Sequence, residues 1–304
     1  MFLERRNSFF VMVVSVITLL MTSYGFANYQ YLNEWGSLGT GDGQFNNPTG
    51  LAFDQSGNVY VSDQDNHRIQ KFTGNGEYIT QWGDFGTGEG QFNMPVGITT
   101  DSSGNVYVAD VFNDRIQKFS SNGEYISQWG SLGSGSGEFN KPFDVEIDSL
   151  NNIYVADLYN HLIQKFTSDG SFITMWGEGG KETSQFLHTV GIAIDSSDYI
   201  YVSDHDNNRI QKFSSDGSFV DIWGGIDPYN GGGANIGSGD GQFDHQVGIA
   251  ADENDNILVA DTDNSRIQVF TDDGTFIDKW GSYGTGTGLT PNYVPHLIRE
   301  LSAC

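Results

Sequence analysis

Short apolar segments recur along the chain and are separated by polar stretches rich in glycine, asparagine and aspartate. In one stretch the apolar segments are residues 50–53, 59–61, 69–72 and 78–82. The strings DQSGN, SDQDNHR and TGNGE between them have the composition of hairpin turns. Because no apolar i, i+3, i+4 pattern persists, these segments are predicted to be strands rather than helices. The pattern therefore predicts units of four antiparallel strands.

The units repeat with a fixed period. Six tryptophans each precede a glycine, with successive spacings of 47, 47, 47, 47 and 57 residues: Trp35, Trp82, Trp129, Trp176, Trp223 and Trp280. A repeat of this length with four strands is typical of a β-propeller blade. Segments such as 59–61 lack strict polar alternation, as expected for strands that are covered on both faces. An all-β propeller is predicted, with blades at about 48–83, 95–130, 142–177, 189–224 and 246–281.

The repeat also has a characteristic sequence. The string NPTGLAFDQSGNVYVSDQDNHRIQKF resembles the NHL repeat, and the likeness recurs five times across about residues 31–281. Neither the Trp-Asp dipeptide of WD repeats nor the paired glycines of kelch repeats occurs at the corresponding places. The resemblance implies a six-bladed propeller that serves mostly as a binding platform.

One feature departs from a closed six-bladed ring. Residues 31–36 resemble only the outermost strand of a blade, and the three strands that would join them are missing after Trp280. There GSYGTGTG still follows the repeat, whereas LTPNYVPHLIRELSAC does not. We expect five complete blades, one N-terminal outer strand, and a tail over 282–304 that is disordered or a truncated blade. The alternatives are a closed five-bladed ring and a reading frame that is truncated or shifted near Leu289.

A targeting segment precedes the repeats. Arg5 and Arg6 are followed by largely apolar residues 9–21 and then by the small-residue pattern that ends at Ala27. This arrangement is typical of a secretory signal peptide, and the apolar run is shorter than the roughly 18 residues of a membrane-spanning helix. Residues 1–27 are predicted to be removed. The remaining propeller, residues 28–281 with the tail, is then expected in the periplasm or outside the cell, without a stable membrane span.

The composition of the chain excludes several functional classes. The 304 residues include 39 acidic and 14 basic side chains, for a formal net charge of −25. Such a chain would repel phosphates, so nucleic acid is not an expected partner. Aromatic residues make up 13% of the chain and argue for a folded protein. The single cysteine, Cys304, excludes a disulfide framework and a cysteine-rich zinc module.

A polar motif follows the second strand of every unit. An aspartate ends the strand, an asparagine follows three residues later, and an arginine opens the third strand in all units but the third. Its members are Asp63, Asn66 and Arg68; Asp110, Asn113 and Arg115; Asp157 and Asn160; Asp204, Asn207 and Arg209; and Asp261, Asn264 and Arg266. The third unit has Leu162 at the arginine position. We interpret the motif as a structural turn lock. The functional alternative is a ring of carboxylates at the mouth of the channel.

The repeat is elaborated at a single connection. Four of the connections from tryptophan to the next Gln or Glu span nine residues, but Trp223 to Gln242 spans nineteen. Insertions in repeat proteins often lie on the binding face.

Histidines occur in the same neighbourhood as this insertion. His188 and His245 share one repeat position, and His205 follows Asp204. Connections between blades and turns after second strands usually share one face of a propeller. The three histidines, with Asp206 and Asp244, are therefore predicted to gather there. Imidazole and carboxylate ligands suit zinc.

The family resemblance does not assign a metal directly. Six-bladed peptidyl-amidoglycolate lyases hold a channel metal with histidines just before the innermost glycine. The corresponding residues here are Thr49, Val96, Phe143, Val190 and Val247. The acidic glycine-rich connections supply one carboxylate each and lack strong calcium-site spacing, so we interpret them as linker turns. No nucleophile elbow, phosphate loop or HExxH motif occurs.

Three functional hypotheses follow. The first is an exported, non-enzymatic scaffold that binds a protein, peptide or glycan through one propeller face and requires no cofactor. The second is a metal-dependent lyase or hydrolase, similar to peptidyl-amidoglycolate lyases or lactonases, centred on the three histidines and using zinc. The third is a cation-binding protein of the cell envelope that uses calcium.

Overall fold

Each predicted unit folds into a four-stranded antiparallel sheet. The computed structural model describes residues 14–20, 28–225 and 236–283. Blade one comprises β5 (Pro48–Phe53), β6 (Val59–Asp63), β7 (Arg68–Phe72) and β8 (Tyr78–Trp82). Blade two comprises β9 (Pro95–Thr100), β10 (Val106–Asp110), β11 (Arg115–Phe119) and β12 (Tyr125–Trp129). Blade three comprises β13 (Pro142–Ile147), β14 (Ile153–Asp157), β15 (Leu162–Phe166) and β16 (Phe172–Trp176).

The remaining strands complete the array. Blade four comprises β17 (Thr189–Ile194), β18 (Ile200–Asp204), β19 (Arg209–Phe213) and β20 (Phe219–Gly224). Blade five comprises β21 (Ile249–Ala251), β22 (Ile257–Asp261), β23 (Arg266–Phe270) and β24 (Phe276–Trp280). Before blade one lie β1 (Val14–Leu20), β2 (Asn28–Trp35), β3 (Ser37–Leu38) and β4 (Gln44–Phe45). The strands of each blade pair in chain order, and the five blades form a ring. The predicted all-β propeller is confirmed.

The hydrophobic core lies between neighbouring blades. One buried cluster joins Tyr60 and Ile69 of blade one to Phe92, Ile98 and Phe119 on the side of blade two. Three further clusters repeat this arrangement around the ring. The second and third strands are buried along both faces, whereas the outermost strands contain only half-buried and exposed residues. The non-alternating sequence of the inner strands therefore reflects burial between two blades.

A polar contact also links each of the first four blades to the next. Lys71 Nζ donates to the Ser121 carbonyl of blade two at 3.0 Å and lies 4.9 Å from the centre of the Tyr60 ring. The Tyr60 hydroxyl lies 3.0 Å from Asp54 Oδ2 and 3.3 Å from the same Ser121 carbonyl. Equivalent pairs reach across the next three junctions: Tyr107 and Lys118, Tyr154 and Lys165, and Tyr201 and Lys212. We call this contact the tyrosine–lysine lock.

The repeated tryptophans pack into the following blade. The Trp82 ring lies 5.8 Å from that of Phe119, and it covers Gly123. Gly123 has φ +84°, and a Cβ there would lie 2.6 Å from Trp82 Cδ2. Glycine is therefore required both for the backbone conformation and for the close approach of the indole. We call this arrangement the tryptophan socket.

The N-terminal strand fills the tryptophan socket of blade one. Trp35 packs against Phe72, with ring centroids 4.4 Å apart, and lies over Gly76. Its strand β2 includes most of the predicted outer strand 31–36 and pairs antiparallel with β1 in a separate two-stranded sheet. β2 thus occupies the position of an outermost strand that precedes blade one.

Some predictions fall beyond the described residues. They are the cleavage point after Ala27, most of the inserted connection (226–235) and the tail from residue 284. In the part of the chain that the structure describes, no helix is long and apolar enough to cross a membrane.

Candidate functional site: a histidine and aspartate cluster

The aspartate, asparagine and arginine motif forms a buried network at the turn after each second strand. Asp110 is fully buried and accepts hydrogen bonds from Asn93 N at 2.7 Å, Asn113 Nδ2 at 2.8 Å and Arg115 Nε at 2.7 Å. The other Arg115 nitrogens donate to three carbonyls of the preceding connection, with distances of 2.8–2.9 Å. The motif therefore ties the turn to the connection that precedes its blade.

The same pairing recurs in three other blades. Arginine Nε lies 2.6–2.7 Å from aspartate Oδ2 in the pairs Arg68 and Asp63, Arg209 and Asp204, and Arg266 and Asp261. All five strand-ending aspartates are fully buried. Their carboxylates bind the turn and do not line an open channel mouth in this structure.

Blade three keeps the aspartate without the arginine. Asp157 still accepts hydrogen bonds from Asn140 N at 2.8 Å, Asn160 Nδ2 at 2.8 Å and Gln164 Nε2 at 3.1 Å. Leu162 occupies the arginine position and is buried. Burial raises the pKa of Asp157 to about 6. Blade three therefore carries a buried carboxyl without the guanidinium that neutralises it elsewhere.

The turn after the second strand lies beside the connection that enters the same blade. His205 N donates to the His188 carbonyl, and Asp206 N to the Leu187 carbonyl, both at 3.1 Å. In blade five, Asp263 N donates to the Asp244 carbonyl at 3.1 Å. These backbone contacts place the turns and the connections on one face. We call it the histidine face.

The predicted histidines and acids meet on this face, where Asp206 joins two of the histidines. Its Oδ2 lies 2.7 Å from His188 Nδ1, and its Oδ1 lies 2.7 Å from His205 Nδ1. The rings of His205 and His245 have centroids 4.9 Å apart. His245 Nδ1 lies 2.8 Å from Asp244 Oδ1. All five predicted residues thus form one continuous cluster.

Sequence reasoning missed one member of the cluster. Asp263 Oδ2 lies 3.2 Å from His245 Nδ1. Asp263 occupies the same repeat position as Asp206, two residues after the strand-ending aspartate. The shared position can be read from the sequence, but its contact with His245 cannot. Potential ligand atoms lie within 4.8 Å of one another in two groups: His205, Asp206 and His245; and Asp244, His245 and Asp263.

The electrostatics favour a neutral His205 beside an ionised Asp206. His205 is 1% exposed, and burial lowers its pKa. Burial acts to raise the pKa of Asp206, but hydrogen bonds with His188 and His205 hold it well below its usual range. A neutral histidine that donates its Nδ1 hydrogen to a carboxylate has its lone pair on Nε2. That is the arrangement in which a carboxylate orients an imidazole for metal binding.

The cluster is open to solvent on one side. The His245 side chain is 39% exposed, whereas His205 beneath it is buried. Tyr159 is also exposed, and its ring meets that of His188 edge to face at 5.5 Å. Gly225 begins the inserted connection directly beside the Asn207 carbonyl, one residue beyond Asp206. The inserted connection therefore begins next to the cluster.

The turn histidines of two other blades have structural contacts. His67 Nδ1 accepts a hydrogen bond from Met94 N at 3.1 Å. His161 Nδ1 accepts one from His188 N at 3.0 Å. Since Nδ1 acts as an acceptor in both, these rings bind the backbone of the following connection.

The comparisons with known proteins agree with the observed architecture. The sequence matches the family described as NHL repeat over residues 45–72, 92–119, 139–166, 187–213 and 247–270. None of the curated proteins searched matches the chain. Similar solved structures include a streptogramin B lyase, with 16% identity and a TM-score of 0.57 over 78% of this chain and 69% of the other.

Two more structures share the fold. The virginiamycin B lyase of Staphylococcus aureus is 18% identical, with a TM-score of 0.55 over 78% of this chain and 70% of the other. A nidogen and laminin complex gives 15% identity and a TM-score of 0.58 over 76% of this chain and 79% of the other. At these identities the likeness concerns the fold alone. The five matched repeats and the five blades that they form show that the chain belongs to the NHL-repeat β-propeller family.

Proposed function

We propose that this chain is an exported binding propeller that recognises a protein, peptide or glycan through its histidine face. The proposal rests on the location of the residues that depart from the repeat. The solvent-open His245, the exposed Tyr159 and the start of the insertion at Gly225 are all on the side of blades three to five. Binding residues are commonly placed on loops that a rigid scaffold positions. Here the turn locks supply the scaffold.

The proposal predicts that binding depends on one face only. Wild-type protein would be screened on immobilised peptide and glycan arrays, and affinities measured for the ligands that it retains. The double variant Tyr159→Ala/His245→Ala is expected to lose at least about tenfold in affinity, as removal of a central contact does. Leu150→Ala is the matched control, because Leu150 is 76% exposed in the hairpin at the opposite end of blade three. Loss of affinity in the control but not in the double variant would contradict the proposal.

A second candidate function is metal-assisted lyase or hydrolase chemistry. It is favoured by the ligand atoms of His205, Asp206 and His245, which lie within 4.8 Å of one another. Two imidazoles and a carboxylate suit a zinc ion that keeps one position open for water or substrate. When bound, such an ion would polarise a carbonyl or activate water. The similarity to a streptogramin B lyase supplies a class of reaction to test, that of a lyase, and no residue roles.

Metal titration separates these two functions. If the cluster binds zinc, dialysed protein should take up about one equivalent, and His245→Ala should weaken binding at least about tenfold because it removes one of few ligands. His67→Ala is the matched control, since His67 lies outside the cluster. Isothermal titration with zinc and with calcium gives both affinities. Equal zinc binding by the wild type and His245→Ala would contradict the metal-assisted function, and calcium binding alone would favour a cation-binding envelope protein.

A further inference from the structure

Blade five lacks the tyrosine–lysine lock on the side that would meet a following blade. Leu258 takes the position of Tyr60, Tyr107, Tyr154 and Tyr201, and Val269 takes the position of the lysines. Both side chains are buried, at 2% and 1% exposure, in an apolar cluster with Ala260 and Ile267. Blade five is therefore built to pack against apolar side chains, since it offers no group to bind a blade's turn carbonyl.

Blade one also differs from the other blades, on the side that faces the strand preceding it. Its tryptophan socket is filled by Trp35 of β2. The innermost strands lie side by side from blade one to blade five. Among the described strands, no contact of similar extent joins the innermost strand of blade five, β21, to that of blade one, β5. The innermost strands of blades five and one therefore lie farther apart than those of the other neighbouring blades, and β2 lies at the edge of blade one that faces this junction.

β2 already pairs with an extended apolar segment. β1 has the sequence VSVITLL and pairs with β2 from Val14 opposite Trp35 to Leu20 opposite Asn28. The pairing is antiparallel, with an irregularity between Val16 and Ile17. β1 lies within the predicted signal peptide, so export would remove the strand that covers this edge. An uncovered strand edge exposes a row of unpaired N–H and C=O groups and is a template for another strand.

We propose that the edge of β2 is an acceptor for an extended apolar strand of a partner polypeptide. β1 occupies the edge before cleavage, and the partner's strand takes its place in the exported chain. Main-chain hydrogen bonds to β2 would supply affinity, and apolar side chains facing blade five would supply selectivity, as in other cases of strand addition. The inference rests on the export in the proposed function, but it concerns a different surface from the histidine face.

The test uses the exported protein, whose N-terminus is first determined by mass spectrometry. The probe is a synthetic peptide with the sequence of residues 13–21, flanked by lysines for solubility. Calorimetry is expected to show one peptide per chain, and saturating peptide should raise Tm by at least about 3 °C. A peptide with the changes Thr18→Pro and Leu19→Pro should bind at least about tenfold more weakly, because two adjacent prolines in the regular part of the pairing remove a ladder donor and disfavour a strand.

A protein variant tests the role of blade five. Val269→Lys places a charge on its apolar face and should weaken peptide binding at least about tenfold. The variant is expected to fold, because lysine occupies this position in the other four blades. Ile126→Lys, on the exposed outermost strand of blade two, is the matched control. The variant Tyr159→Ala/His245→Ala should bind the peptide as the wild type does. Failure of the proposed function, which concerns the histidine face, can therefore be distinguished from failure of this inference, which concerns the edge of β2.

The other outcomes overturn the inference. An exported chain that begins before residue 14 would keep β1 in place and leave no acceptor. Equal binding of the two peptides would show that strand pairing is not involved. Peptide binding that appears only after deletion of residues 284–304 would assign the edge to the chain's own C-terminal segment. A dimer that the peptide dissociates would assign it to a second copy.

Discussion

Replacing Arg115 by leucine is expected to lower the free energy of unfolding by about 3–5 kcal/mol at pH 7, the usual cost of removing one partner of a buried ion pair. The guanidinium is the only positive charge that contacts Asp110 Oδ2 among the described residues. It also binds the carbonyls of Thr87, Gly88 and Gln91. The change therefore leaves a buried carboxylate without its counter-ion and removes one donor from each of three carbonyls. Chemical denaturation monitored by tryptophan fluorescence measures the loss.

The double variant Arg115→Leu/Asp110→Asn separates charge from packing. If the cost comes mainly from the unpaired charge, the asparagine should recover about half of it, because an amide is far cheaper to bury than a carboxylate. A loss below about 1 kcal/mol in the single variant would show that the pair contributes no more than an exposed one.

The reverse change, Leu162→Arg, is expected to stabilise the protein at pH 7 by about 1–3 kcal/mol, as charge-assisted hydrogen bonds to a buried acid do. Asp157 has kept its other partners, and the blade three connection supplies the carbonyls of Ser134, Gly135 and Glu138 at the positions that bind Arg115 in blade two. Arg209 forms its network although Ile222 stands where blades one and two have a glutamine. Met175 at that position in blade three is therefore no obstacle.

The gain should depend on pH. Asp157 has a pKa of about 6 in the folded protein, above its ordinary value of 3.8. The folded state therefore holds a proton that the unfolded state loses between about pH 4 and pH 6, and stability falls as pH rises through this window. The full cost above pH 6 is about 3 kcal/mol, since one pKa unit corresponds to about 1.4 kcal/mol. Leu162→Arg should consequently stabilise the protein more at pH 7 than at pH 4.

Denaturation curves of the wild type and Leu162→Arg at pH 4, 5, 6 and 7 would measure this dependence. Leu162→Met is the control, because it changes the side chain without adding charge and should cost less than about 1.5 kcal/mol at every pH. A gain from arginine that is the same at pH 4 and pH 7 would show that the benefit is not electrostatic.

The sequence alone determined the architecture because every repeat has the same local preferences for strands and turns. Apolar triplets separated by Asx and glycine turns specify four short strands, and the tryptophan spacing of 47 residues specifies the blade period. The five repeats agree with one another, so the predicted strands lie within a few residues of those observed. The gathering of His188, His205 and His245 was also predictable, because turns and connections alternate regularly between the ends of the blades.

Other features depend on contacts between residues far apart in the chain, and only the tertiary structure decided them. Asp263 joins the histidine cluster because blade five brings its turn to the connection that carries Asp244. The role of the repeated lysine became clear only from the neighbouring blade, whose turn carbonyl it binds. The significance of Val269 followed from that contact. Likewise, Trp35 could be identified as an outer-strand residue from sequence, but its packing in the socket of blade one required the fold. Local pattern specifies strands and turns, whereas pairings between distant segments are set by how the blades pack.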